Sequence, residues 1–157
     1  MLLIPDIYTL TSGKSEGTSK LGAFDIAILK AGIGNTNLIK LSSILPPKAE
    51  FKEKFVYPQG ALIPIAYSYI TSDKKGELIS AAIAIGISEE DGFGVIMEYS
   101  GICGSAEAKA TVNKMAEDAL NYRNVKIKEI KSIAIEHKVV DIGCVFCGVP
   151  MWYSKLS

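Results

Sequence analysis

The chain has 157 residues, 48% hydrophobic and 22% charged, enough for one domain with a sizeable core and too little for two. Basic and acidic residues both number 17, so there is no positive surplus to attract phosphates, and nucleic acid is not an expected partner. Mean hydropathy is high at +0.25, yet no apolar run reaches the roughly 18 residues of a membrane span. The surplus apolar area is expected in a subunit interface. The start, MLLIPDIY, lacks the basic and long apolar regions of a secretory signal, so the cytoplasm is the default expectation.

Taken in chain order, residues 12–20, SGKSEGTSK, are small and polar and read as a mobile loop. A short helix is expected over 22–32, with Phe24, Ala27, Ile28 and Ala31 on one face and Gly32 as its stop. An extended run comes next over 36–42, then a polar, irregular stretch over 47–60. Residues 61–71, ALIPIAYSYIT, read as a strand in which Pro64 suggests an edge or a bulge. SDKKGE reads as a hairpin turn into ELISAAIAIGI, 77–87, a nearly continuous apolar strand of small side chains. Residues 93–99, FGVIMEY, form another strand. A clear helix succeeds it, with Ser105 as N-cap and Glu107 in its first turn. Its apolar face is Ala108, Val112, Met115, Ala116, Ala119 and Leu120, and it ends over 121–124. Two more strands are expected, over 125–137 and 139–149. This order predicts one α+β domain spanning 1–157, with largely antiparallel strands and helices packed outside them.

Most common chemistries find no footing. Three cysteines, Cys103, Cys144 and Cys147, are too few and too odd for a disulfide framework. Cys144 and Cys147 lie three apart in a strand and so point to opposite faces, which suits neither a metal nor a bridge. Buried free thiols are expected. The one histidine, His137, excludes a multi-histidine zinc site, and no nucleophile elbow accompanies it. It reads as a strand-end residue. AGIGN lacks the third glycine of a dinucleotide loop and comes after a helix instead of a strand.

The pair Ser42-Ser43 is different. Alone it is a common dipeptide and an ordinary strand end. A serine hydroxyl can also attack the preceding carbonyl and convert the amide into an ester. Elimination then leaves dehydroalanine, and hydrolysis releases ammonia and leaves a pyruvoyl group at a new N-terminus. Such a step needs a fixed backbone, an oxyanion donor and a base. Pro46-Pro47 stiffen the segment downstream of the serines, and the Asn37 amide can donate to an oxyanion. A pyruvoyl carbonyl forms a Schiff base with an amino acid and accepts electrons when CO2 leaves.

The stretch FDIAILKAGIGNTNLIKLSSILPP, 24–47, resembles the processing region of the pyruvoyl-dependent arginine decarboxylases. GVIMEYSG, AEAKATVNKMAE and IKSIAIEHKVVDIGCVFCGVPMWY are similar to that family in the same order, over nearly the whole chain. The resemblance implies cleavage between Ser42 and Ser43, giving a β chain of 1–42 and an α chain of 43–157, with Ser43 becoming the pyruvoyl cofactor. It implies that Glu98 is the proton donor, that Asn37 serves processing and the active site, and that Asp25 meets the substrate guanidinium. A carboxylate facing a guanidinium makes a bidentate pair that selects arginine over lysine. The implied fold is a four-layer α/β/β/α sandwich, assembled as a trimer with active sites at subunit boundaries. The implied reaction converts arginine to agmatine and CO2, in polyamine biosynthesis. Blander readings stay open: Glu98 as a solvated strand residue, Asp25 as a helix-dipole partner, Asn37 as a turn amide. So do a non-cleaving trimeric scaffold or small-molecule binder and a decarboxylase of another amino acid, such as histidine.

Overall fold

Ten strands and two helices are built from residues 3–89 and 92–156, which the computed structural model describes. In chain order they are β1 (Ile7–Tyr8), β2 (Thr11–Glu16), α1 (Lys20–Lys30), β3 (Asn37–Lys40), β4 (Ile44–Leu45), β5 (Glu50–Phe51) and β6 (Leu62–Ser72). Then come β7 (Leu78–Ser88), β8 (Gly94–Gly101), α2 (Ser105–Tyr122), β9 (Ile127–Lys138) and β10 (Gly143–Trp152). One sheet runs β3-β6-β10-β1-β5, with β2 also on β10, and the other runs β4-β8-β7-β9. All pairings are antiparallel except β3 with β6 and β1 with β5.

Period-two alternation explains how the sheets stack. On β7, Ile79, Ala81, Ile83 and Ile85 pack toward Val145, Cys147, Val149 and Met151 of β10. The other face of β7 offers Ala82 and Ala84 to Ala108, Val112 and Ala116 of α2. On the far side, Ala23, Ala27 and Ile28 of α1 cover Ile63, Ile65, Cys144 and Phe146. The result is the expected four-layer α/β/β/α sandwich. Among the described residues no helix is long and apolar enough to cross a membrane.

Several local expectations need correction. Residues 11–16 are a strand and not a loop: β2 pairs with β10 from Glu16–Gly143 to Thr11–Gly148. Its small residues allow a close approach of α1, since a Cβ at Gly13 would lie 2.0 Å from the Ala27 carbonyl oxygen. Helix α1 starts two residues early, because the Ser19 hydroxyl accepts from the Gly22 N–H at 3.0 Å. Its stop is as expected, with Gly32 at φ +83°. Gly104, not Ser105, is the N-cap of α2, and at that end the Glu136 carboxylate accepts from the Ser105 N–H at 2.6 Å. SDKKGE is a turn, but not a hairpin, for it carries the chain from one sheet to the other. The 47–60 stretch contains β5. Pro64 is at no bulge but at a local edge: it pairs with Ile39 of β3 on one side, and on the other lies one residue beyond the Ile65–Pro150 pair where the β10 ladder stops. There its missing N–H costs no ladder bond.

Candidate active site

Strands β3 and β4 belong to opposite sheets, so residues 41–43 must cross between them. The Leu41 N–H donates to the Ile65 carbonyl at 2.8 Å, which ties one side of the crossing to the first sheet. The Ile96 N–H donates to the Ser43 carbonyl at 2.7 Å, which ties the other side to the second. The Ser42–Ser43 peptide bond is thus held between two anchored ends. Ser42 is exposed and Ser43 half-buried. Just downstream Leu45 is buried, and Pro46-Pro47 lead into a turn with Lys48 at φ 62°. An apolar recess of about 410 Å³ flanks the crossing, lined by Ile39, Leu41, Ile44, Leu62 and Met151 among others.

Glu98 lies two residues beyond Ile96 on β8 and therefore shares its face. Val95, Met97 and Tyr99 point toward α2, while Ile96 joins the core between the sheets. The carboxyl of Glu98 is met by Lys40, whose Nζ lies 2.9 Å from Oε1. Oε2 is buried and has no hydrogen-bond partner. The Lys40 ammonium also sits 4.7 Å above the Tyr67 ring centroid. Lys40 comes three residues before Ser43, and Ile96 two before Glu98. The Ser43 backbone is thus bonded to the strand that carries Glu98, two residues from it. The frame is stitched by Ser100, whose hydroxyl donates to the Tyr69 carbonyl at 3.0 Å across the sheets.

The serine pair is held by its backbone between the two sheets, and the strand that anchors Ser43 also carries Glu98, a carboxyl with one buried oxygen lacking a hydrogen-bond partner. A profile of pyruvoyl-dependent arginine decarboxylases matches residues 7–147. The chain belongs to the pyruvoyl-dependent arginine decarboxylase family. It is 48% identical over 151 residues to the pyruvoyl-dependent arginine decarboxylase of Methanocaldococcus jannaschii, covering 96% of this chain and 92% of that protein. The Methanococcus aeolicus protein of the same name is 47% identical over 150 residues, 95% of this chain and 91% of its own. The Pyrococcus furiosus one is 44% identical over 141 residues, 88% of this chain and 89% of its own.

Of the residues to which the family resemblance assigned roles, Ser43 is bonded through its carbonyl to the strand that carries Glu98, whereas Asn37 and Asp25 lie on other elements. Asn37 heads β3, and its Nδ2 donates to the Gly60 carbonyl at 3.1 Å. It lies three positions before Lys40, about 10 Å of extended chain. Asp25 is exposed on α1, which packs on the outer face of the first sheet. Its neighbour Phe24 begins an aromatic row, 4.6 Å from Tyr69, which in turn is 6.3 Å from Tyr67 beneath Lys40. Lys40 and Tyr67 escaped the sequence reading. The available signal was a lysine inside the apolar run NLIKL, just upstream of the serines.

The remaining polar groups serve elsewhere. Cys144 and Cys147 are buried in separate cores on opposite faces of β10, and burial pushes both thiols up to about 12. His137 stands one residue before the end of β9, and its Nε2 is 2.6 Å from Glu16 Oε1. Among the described residues no group of three His, Cys, Asp or Glu side chains could hold a metal ion.

Proposed function

We propose that the chain cuts itself between Ser42 and Ser43, and that the pyruvoyl group so formed from Ser43 makes it a decarboxylase of L-arginine, yielding agmatine and CO2. The observation that carries this is the Ser42–Ser43 bond anchored to both sheets, on one side to the strand that carries Glu98, in a chain of this family. Residue 43 suits the group: its carbonyl is already held by the Ile96 N–H, and Glu98, two residues along the same strand, has a buried oxygen without a partner. When present, the pyruvoyl carbonyl captures the substrate amine and takes up the electrons released with CO2.

The chain's own residues do the rest. Ile96 fixes the backbone of residue 43 before and after the cut, and Pro46-Pro47 keep the next segment extended. The apolar rim of Ile39, Leu41 and Ile44 limits water near the crossing. Glu98 holds the proton destined for the carbon that loses CO2. Asn37 donates its amide to the oxyanion during processing. Asp25 takes the guanidinium of the substrate in a bidentate pair. The Asn37 amide bonded to Gly60 and the place of Asp25 on the outer helix α1 support a site completed between protomers of a trimer. The exposed Ile39, Ile44 and Leu62 beside the crossing supply apolar surface for that contact. The proposed location is the cytoplasm.

A denaturing gel with intact-mass measurement tests the first step. Two fragments divided at Ser42–Ser43 are expected, the larger blocked to Edman degradation, and Ser43→Ala should give one uncut, inactive chain. Release of CO2 across a panel of amino acids tests the second, with arginine preferred. A folded, uncut protein that releases CO2 from arginine would overturn the scheme.

A further inference from the structure

We infer that Lys40 is a positioning residue for Glu98: it occupies Oε1, so that Oε2 alone is left to face the reacting carbon. The inference rests on the role proposed above for Glu98.

The two carboxyl oxygens are treated differently. Oε1 has the Lys40 ammonium at 2.9 Å. Oε2 is buried with no hydrogen-bond partner, an arrangement that is costly unless something else completes it. Ile83 stands opposite Glu98 on β7. Among the described residues Lys40 is the ion-pair partner of Glu98.

Lys40 is itself held in place, although its side chain is 52% exposed. Its backbone lies in the ladder with β6, opposite Ile65. Its ammonium rests on the Tyr67 ring, and that ring stacks on Phe146 at 5.4 Å and 29°. Phe146 is fully buried. A rigid line thus runs from the core through Tyr67 and Lys40 to one oxygen of Glu98. So exposed a pair contributes little to stability, which leaves orientation as its effect. Lys40 falls within residues 1–42 and Glu98 within 43–157, so the contact also spans the proposed cut.

The test uses two readouts. In the uncut Ser43→Ala chain, the Glu98 side-chain carboxyl is observed by carbon-13 NMR at one fixed pH, assigned by its loss in Glu98→Gln. Replacing Lys40 by Met removes the group that sits 2.9 Å from Oε1, so that resonance should shift, while in Lys40→Arg it should stay near the parent. In the processed enzyme, Lys40→Met should lower kcat roughly 100-fold per cut chain with KM little changed, and Lys40→Arg should recover most of it. If Lys40→Met leaves either the Glu98 carboxyl resonance or kcat unchanged while Glu98→Gln is inactive, the inference alone falls. If Glu98→Gln turns over normally, the role of Glu98 falls and the inference with it.

Discussion

Replacing Glu98 by Gln isolates proton delivery from folding. The amide has the volume of the carboxyl, and its carbonyl oxygen can still accept from Lys40. The NH2 then takes the buried Oε2 position, which can no longer hand over an acidic proton. The salt bridge lost is partly exposed, at 52% and 29% for the two side chains, so its removal should cost no more than about 1 kcal/mol. That corresponds to a drop in Tm of roughly 2–4 °C. General acid catalysis contributes about 10²- to 10⁴-fold, which at 1.36 kcal/mol per decade is roughly 3–5 kcal/mol of barrier. The assay is release of labelled CO2 from carboxyl-labelled arginine, scaled to the amount of cut chain on a denaturing gel. A cut, folded variant is expected, with turnover reduced at least about 100-fold. Turnover within a few-fold of the parent would refute the reasoning. So would a folded chain that fails to cut, since Glu98 would then act in processing.

Three further outcomes are expected. Gly13→Ala places a Cβ 2.0 Å from the Ala27 carbonyl oxygen; α1 must lift, at a cost of about 1–3 kcal/mol, and a thermal melt equal to the parent's would disprove the tight packing. Burial opposes ionisation of Glu16, but the Val140 N–H, the His137 ring and the Asp141 N–H together hold its carboxyl below the ordinary 4.5. A carboxyl depressed in the folded state stabilises above its unfolded value and loses that effect as pH falls through the folded one. Glu16→Gln should therefore cost about 1 kcal/mol at pH 7, with the gap in urea midpoints closing below about pH 4; a gap independent of pH would count against it. A thiol reagent such as Ellman's should find at most Cys103 in the native protein and all three cysteines after denaturation, because burial holds Cys144 and Cys147 up to about 12. Rapid native labelling of either would contradict their placement.

Apolar periodicity made much of the fold legible. The run ISAAIAI wrote both faces of β7 at once, Ile79, Ala81, Ile83 and Ile85 for the gap between sheets and Ala82 and Ala84 for α2. The 108–120 face of α2 was readable for the same reason. What escaped was decided by partners remote in sequence. The glycine and serines of 12–16 look like a loop because small residues also make loops; here they thin a strand so that Ala27 can approach. The turn SDKKGE has the same composition whether its strands pair or part, and only the stacking of two sheets decides. At the site, the serine pair and Glu98 were visible through motif resemblance. Lys40 was not, since its partner lies 58 positions away on another sheet.

The crossing at 41–43 also bears on the lifetime of the catalyst. Every strand upstream of the proposed scission is laddered to one downstream: β1 to β10 and β5, β2 to β10, and β3 to β6. The two pieces would stay clasped without a covalent tether. Reassembly after melting, however, would have become a meeting of two molecules instead of the recoil of one. Dilution, harmless to the uncut precursor, would then slow every recovery, and heat damage to the mature form would be close to permanent.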